Sequence, residues 1–222
     1  MKRIVLFTGA FGSGKTEIAM QYALVQKQTH EQTVLVDLDL INPYFNVAAH
    51  TQALNAAGIE TVVPHNAHNA AEIRTLTGRI GAVYRNRAAF GVTDLGGESA
   101  GAAVAGSLKN AIEDGGGAEL WFCLNPFRPQ TATTEDALAV VREVEAATRR
   151  QITGIVNNAN MAFETAPEHL MAGEEAALAL AKACCVPLVM HAGMQEIIAA
   201  CGPLSGTPLV LTPANHPAWQ WS

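Results

Sequence analysis

The chain has 222 residues, 49% of them apolar and 15% charged, with a formal net charge of −6. That composition excludes intrinsic disorder and provides enough apolar material for one sizeable core. The basic residues are scattered, with Arg85/Arg87 and Arg149–Arg150 as the close pairs, so the basic stripe of a DNA-binding surface is missing and no nucleic-acid partner is expected.

No apolar run reaches the ~18 residues that a membrane helix needs, so no membrane insertion is expected. Met1-Lys2-Arg3 leads directly into IVLFTG. That run is too short for a secretory signal and has no cleavage site after it, so the expected location is the cytoplasm. The four cysteines, Cys123, Cys184, Cys185 and Cys201, form no C-x-x-C pair, so metal ligation by cysteine is not expected; Cys184 and Cys185, adjacent in an apolar context, read as small buried hydrophobes.

The first element is RIVLFTG (3–9), a continuous apolar run of the kind that forms a strand buried on both faces. It opens into GAFGSGKTEIAM (9–20), where Gly9, Gly14, Lys15 and Thr16 fit G-x-x-x-x-G-K-[ST]. Chance gives about 0.004 such matches in a chain of this composition. The pattern follows a predicted strand and opens a predicted helix from Lys15 to Gln28, as its mechanism requires. Glycines let the backbone curl so that several N–H groups face phosphate oxygens, and the helix N-terminus adds its dipole. Lys15 supplies a point charge to the β- and γ-phosphates, and Thr16 offers its hydroxyl to Mg²⁺. Gly12 and Ser13 within the loop, and Glu17 just after it, complete this part of the nucleotide-binding set.

The second strand, TVLVDLD (33–39), places Asp37 and Asp39 two residues apart, on one face at its C-terminal end. Ligands of doubly wound sheets bind at that end. Two carboxylates in an apolar strand demand a cation or donors, so both join Thr16 as candidate Mg²⁺ ligands. For one of them, capping or loop hydrogen bonding is the alternative. The third strand is IETVVP (59–64). Around it, the stretch from Asn42 to Arg87 reads as irregular, and its Asn, His and Arg residues could line a substrate pocket. His65 and His68 lie within it and read as surface histidines, since no third metal ligand is evident.

The fourth strand, AAFGVTDLGG (88–97), ends in Asp94 and two glycines. Asp94 fits a Walker-B carboxylate that holds Mg²⁺ through water. Gly97 completes D-x-x-G, and its N–H is placed to sense the γ-phosphate. GGG (115–117) is a loop before the fifth strand, AELWFCLN (118–125). Arg128 follows in NPFRPQTATTED; a solvated surface arginine is the plainer reading, and steadying of phosphoryl charge the alternative. A helix is predicted from Thr134 to Arg150, opened by a threonine cap, with Glu135 and Asp136 in its first turn and two arginines at its close. Leu138, Val141 and Val144 mark its apolar face.

The sixth strand, QITGIVNN (151–158), ends in Asn157 and Asn158, with Asn160 just beyond. Amide side chains can both donate to and accept from adenine. The N-K-x-D pattern of a guanine site is absent, which favours ATP over GTP. A further helix runs over 167–183 with Pro167 at its start, and VPLVMH (186–191) and TPLVLT (207–212) are the last strands. Trp219 and Trp221 close the chain, either folded onto the core or on a contact surface. Strands alternating with helices along the whole length predict an α/β fold. The sheet is doubly wound, mostly parallel and flanked by helices in three layers, within a single domain over 1–222.

With the phosphate loop, D-x-D and D-x-x-G in this order, the chain resembles the CobQ/CobB/MinD/ParA superfamily of SIMIBI-type P-loop ATPases. That group also includes the nitrogenase iron protein, amidoligases and dethiobiotin synthetases. GAFGSGKTEIA and VDLDLINPYF look like a small class of bacterial nucleotide-binding proteins within it. The resemblance implies that Lys15 and Thr16 take the phosphates and Mg²⁺. It implies that Asp39 positions the attacking water in a first switch segment, which makes Lys15 and Asp39 the candidate catalytic pair. Asp94 would begin a second switch, and Asn158 would contact adenine, with Asn157 as the fallback. Several features depart from the family. Ala10 stands where MinD and ParA carry a second lysine that reaches across a nucleotide-sandwiched dimer, so dimer-coupled hydrolysis of that type lacks its lysine here. The cluster cysteines of the iron protein, the C-terminal C-x-x-C of scaffold relatives and MinD's amphipathic tail have no counterpart.

The expected function is that of an Mg²⁺-dependent ATP-binding protein with slow ATPase activity. It would act as a nucleotide switch on a protein partner, by analogy a metallo- or cofactor-enzyme; a homodimer is left open. The alternative is a small-molecule kinase or ATP-dependent ligase resembling dethiobiotin synthetase. A positioning ATPase on DNA or membrane ranks behind both.

Overall fold

In the computed structural model, residues 2–39, 47–63, 70–96 and 104–212 are described. Gly97, His65, His68, Trp219 and Trp221 lie outside them, as does Asn42 at the start of the proposed pocket stretch.

All eight predicted strands form: β1 (Ile4–Thr8), β2 (Gln32–Leu38), β3 (Ile59–Val62), β4 (Ala89–Leu95), β5 (Glu119–Leu124), β6 (Gly154–Asn157), β7 (Leu188–Gly193) and β8 (Thr207–Val210). They make one sheet in the order β3-β2-β4-β1-β5-β6-β7-β8. Every neighbouring pair is parallel. The helices among the described residues include α1 (Lys15–Lys27), α2 (Thr51–Ala56), α3 (Ala70–Arg85), α4 (Lys109–Asp114), α5 (Thr134–Thr148), α6 (Pro167–Cys184) and α7 (Gln195–Ala200). This is the three-layer α/β architecture of a P-loop NTPase, as expected from the sequence.

The continuous apolar character of the six inner strands follows from burial on both faces, whereas the edge strands β3 and β8 are partly exposed. Along β1, Ile4 and Leu6 join a core shared with Ile80 and Tyr84 of α3, Ile112 of α4, Val141 and Val144 of α5, and Leu180 of α6. Val5 and Phe7 join the opposite core, with Ile18 and Tyr22 of α1 and Leu54 of α2. On that side Phe7, Tyr22 and Trp121 meet edge to face, with centroids 5.2 to 5.6 Å apart; such pairs add to plain burial.

The stretch from Asn42 to Arg87 is not irregular throughout. Besides β3 it contains α2 and the 16-residue α3. Its Asn, His and Arg residues obscure a helical pattern whose buried members, Ile80 and Tyr84, lie one turn apart. The cap of α5 is Thr133, one residue before the expected threonine. Its hydroxyl accepts the Asp136 N–H at 3.1 Å and donates to the Asp136 carboxylate at 2.7 Å. Of the predicted apolar face, Val141 and Val144 are buried, and Leu138 packs partly buried against the same core.

The sheet order decides where a ligand can sit. The chain runs outward from β1 to β2 and β3, returns to insert β4 between β2 and β1, and continues on the other side through β5 to β8. The reversal leaves the carboxyl ends of β2, β4, β1 and β5 side by side, the crevice that doubly wound sheets use for binding. Thr133→Ala should lower stability by about 1 kcal/mol through loss of the α5 cap, measured by urea unfolding, with the sheet and nucleotide affinity intact.

Candidate functional site

The residues between β1 and α1 form a tight loop at that crevice. Gly9 runs so close to β5 that a Cβ there would lie 2.5 Å from the Cys123 carbonyl oxygen and 2.8 Å from Ser13 Oγ. Gly14 has φ 82° and caps α1 in the left-handed region, and a Cβ on it would fall on the Asn158 amide. Both positions require glycine on steric grounds. The loop is closed by Ser13 N–H donating to the Ala10 carbonyl at 3.2 Å. Lys15 is buried, and its Nζ donates back to the same carbonyl at 3.3 Å. Glu17 sits half-buried in the first turn of α1, where an acidic side chain suits the dipole.

Three carboxylates converge beside this loop. Thr16 Oγ1 donates to Asp94 Oδ2 at 2.6 Å, which ties the start of α1 to the end of β4. Asp94 is in register with Asp37 on one side and Phe7 on the other, so the two acids point to the same face of the sheet, towards α1. Asp37 accepts the backbone N–H of Asp39 at 2.9 Å and of Val47 at 3.2 Å. It thereby performs the loop hydrogen bonding expected of one member of the pair. Asp39 is only half-buried and faces Gly96, where a Cβ would lie 3.0 Å from its Oδ1.

Burial makes this cluster expensive in its charged form. Asp37 is pushed up to about 8 by desolvation, then by the charges of Asp94 and Asp39, against the pull of its two backbone donors. Asp94 rises to about 6 for the same first reason, held down by Lys15 and by the Thr16 hydroxyl.

Unmet polar atoms concentrate here. Among the described residues, the buried side-chain atoms lacking a hydrogen bond include Thr8 Oγ1, Ser13 Oγ, Asp94 Oδ1 and Asn158 Oδ1, all at this end of the sheet. Buried polar groups are almost always satisfied. An unpartnered carboxylate oxygen on Asp94 beside the Thr16 hydroxyl is the kind of oxygen donor that a hard divalent cation takes. Among the described residues no three acids, histidines or cysteines are grouped to hold a metal ion by themselves, and both oxygens of Asp37 are taken by backbone N–H groups. Thr16 and Asp94 therefore fit an Mg²⁺ that arrives with its phosphate ligands, Asp39 stands beside them, and the curled loop with Lys15 fits phosphate oxygens.

The two asparagines ending β6 take different positions. Asn157 turns inward: its amide donates to the Leu170 carbonyl and to His191 Nδ1, both at 3.0 Å, and accepts from Ala159 N–H at 3.1 Å. Its hydrogen-bonding capacity is taken up by the packing of α6 and β7. Asn158 borders the loop, with Nδ2 donating to the Ser13 carbonyl at 2.7 Å. Asn125, at the end of β5, is a residue that sequence reasoning passed over. It is buried, donates to the Asn160 carbonyl at 3.0 Å and accepts the Phe127 N–H at 3.1 Å. The only hint in the sequence was its place at a strand end, before a proline. Arg128 does not simply extend into solvent, because its Nε donates to the Gly12 carbonyl at 3.0 Å.

Comparison with solved structures agrees on the fold. The chain superposes on FtsY from Thermotoga maritima with a TM-score of 0.61 at 15% identity, covering 86% of this chain and 62% of that one. FtsY from Mycoplasma mycoides gives 0.56 at 14%, covering 86% and 60%. The signal recognition particle 54 kDa protein from Aeropyrum pernix, solved in complex with GDP, gives 0.55 at 19%, covering 83% and 40%. The chain thus spans less than two thirds of the length of each. No family model matches the chain, and no curated protein does.

The raised carboxyls fix the sign of a pH effect. The folded state keeps protons that the unfolded chain releases near pH 3.8. Their contribution to stability is complete below that value and is lost as pH rises through about 6 for Asp94 and about 8 for Asp37. The melting midpoint in chelator should fall between about pH 5 and about pH 8, and Asp37→Asn, which cannot titrate, should flatten that slope.

Proposed function

We propose that this chain is an Mg²⁺-dependent nucleoside-triphosphate-binding protein with slow hydrolytic activity, working in the cytoplasm as a nucleotide-controlled switch on a protein partner. The observation that carries this reading is the bond from Thr16 to Asp94 beside a partnerless buried Asp94 oxygen, directly under the glycine loop. Elementary chemistry then assigns the roles. Loop N–H groups and Lys15 bind phosphate oxygens. Thr16 and Asp94 hold Mg²⁺, directly or through water, with Asp37 fixing the backbone that presents Asp39. Asp39, the least buried of the three acids, orients the attacking water.

ATP is the favoured nucleotide, because no acidic residue follows Asn157–Asn158 in the manner of a guanine reader. The guanine alternative has its own support in the GDP complex of a structural neighbour, and the two are separable by competition. Within the family named above, the CobQ/CobB/MinD/ParA branch remains the preferred place. The switch is favoured over a kinase or ligase by exposed apolar side chains on the loops bordering the site: Phe11 at the tip of the phosphate loop and Phe163 beyond β6 are 60% and 76% exposed. Such side chains give a protein partner apolar anchors beside the site. No helix among the described residues is long and apolar enough to cross a membrane.

Lys15→Ala should abolish binding of a fluorescent Mg²⁺–triphosphate, with the fold intact by circular dichroism. Asp39→Ala should retain affinity and reduce single-turnover hydrolysis by about 100-fold or more; unchanged turnover removes Asp39 from the mechanism. Unlabelled ATP should displace the probe at lower concentration than GTP, and the reverse order assigns a guanine nucleotide.

A further inference from the structure

The turn after β5 is held more firmly than a surface connection requires. Thr131 Oγ1 donates to the Asn125 carbonyl at 2.6 Å, and the Arg128 N–H donates to that carbonyl at 3.2 Å. Thr131 N–H returns to the Arg128 carbonyl at 3.0 Å. Asn125 and Thr131 are both buried, so this small polar network fixes the backbone from which Arg128 projects. The side chain then bends back over the phosphate loop. Its Nε is bonded to the Gly12 carbonyl, and a Cβ on Gly12 would sit 3.4 Å from Nε and 3.8 Å from Cζ. The bond at Nε uses the inner edge of the guanidinium. Among the described residues the terminal nitrogens have no partner. On the opposite flank of the loop the acids Asp37, Asp39 and Asp94 outnumber Lys15.

We propose that Arg128 is a phosphate-binding cation supplied in cis: the guanidinium, anchored through Nε on Gly12, presents its free terminal N–H groups to the terminal phosphate of the bound triphosphate. The inference rests on the nucleotide reading above and deepens it. A fixed, bidentate donor suits a phosphate that carries several oxygens and extra charge. A side chain already anchored loses little further freedom on engaging it. It also gives the chain a second positive charge of its own at a loop whose Ala10 is small, buried and uncharged.

The test is titration calorimetry of wild type, Arg128→Ala and Arg128→Lys with the Mg²⁺ complexes of a non-hydrolysable adenosine triphosphate analogue and of adenosine diphosphate, with the guanosine pair in parallel. Loss of a charge-assisted hydrogen bond should weaken triphosphate binding roughly 10- to 100-fold in Arg128→Ala. Diphosphate binding and the nucleotide-free melting midpoint should stay unchanged, and Arg128→Lys should recover part of the triphosphate affinity. Equal losses for both nucleotides would make Arg128 a brace of the loop only, and unaltered affinity would make it a surface residue; either result overturns the proposal. Failure of wild type to bind any of the four complexes would instead overturn the nucleotide reading beneath it.

Discussion

Two buried carboxylates in register on adjacent parallel strands, Asp37 and Asp94, are the feature on which the rest of this structure turns. Loss of hydration is the main reason that both are pushed up; the charge of Asp94 raises Asp37 further, and that of Asp39 raises Asp94. A protein retains such a pair where something opposes that cost. Lys15, the Thr16 hydroxyl and two backbone N–H groups oppose part of it. The unpartnered oxygen of Asp94 marks what they leave over. On the proposed function, a divalent cation brought in with a polyphosphate would answer that remainder with the right charge and the right hardness.

The surrounding architecture serves to hold this arrangement still. The aromatic cluster of Phe7, Tyr22 and Trp121 packs α1 onto the sheet beneath the loop. From the other flank, a relay of asparagines links three strand ends: Asn125 reaches the Asn160 carbonyl, and Asn158 reaches the Ser13 carbonyl. Asn157 pins the end of β6 to α6 and to His191 of β7. The loop is therefore braced by side-chain amides as well as by its own turn. Among the described residues one acceptor of this network, Asn158 Oδ1, has no partner, but a loop that is already braced spends less binding energy on its own ordering.

The fold was legible in the sequence because its strands are unusually plain. The six inner strands, buried on both faces, are apolar nearly throughout; the edge strands β3 and β8, with Glu60, Thr207, Pro208 and Val210 exposed, stood out by their Val, Ile and Leu residues alone. The phosphate loop and the acids that face it were readable because their chemistry demands particular residue types at particular spacings. What escaped was encoded in contacts between distant segments. The division of labour between Asn157 and Asn158 depends on which way a strand end faces, and β6 gives no clue to that. Arg128 lies 116 residues from the carbonyl that it holds, so its local sequence suggested a solvated side chain. Asn125 reads as an ordinary turn residue until Asn160 and Thr131 are seen around it. The helix α3 was hidden by two glycines, Gly78 and Gly81, beside its buried positions Ile80 and Tyr84, a case where tertiary burial and not local propensity defines the element.

The most direct measurement is amide hydrogen exchange across residues 9–16 and across the ends of β2 and β4, with and without magnesium–triphosphate. Slowed exchange of the loop amides that depends on both magnesium and nucleotide is the expected result, since those N–H groups would be sequestered by phosphate oxygens. Exchange that is indifferent to either component would contradict the assignment of this loop and of the carboxylates beside it.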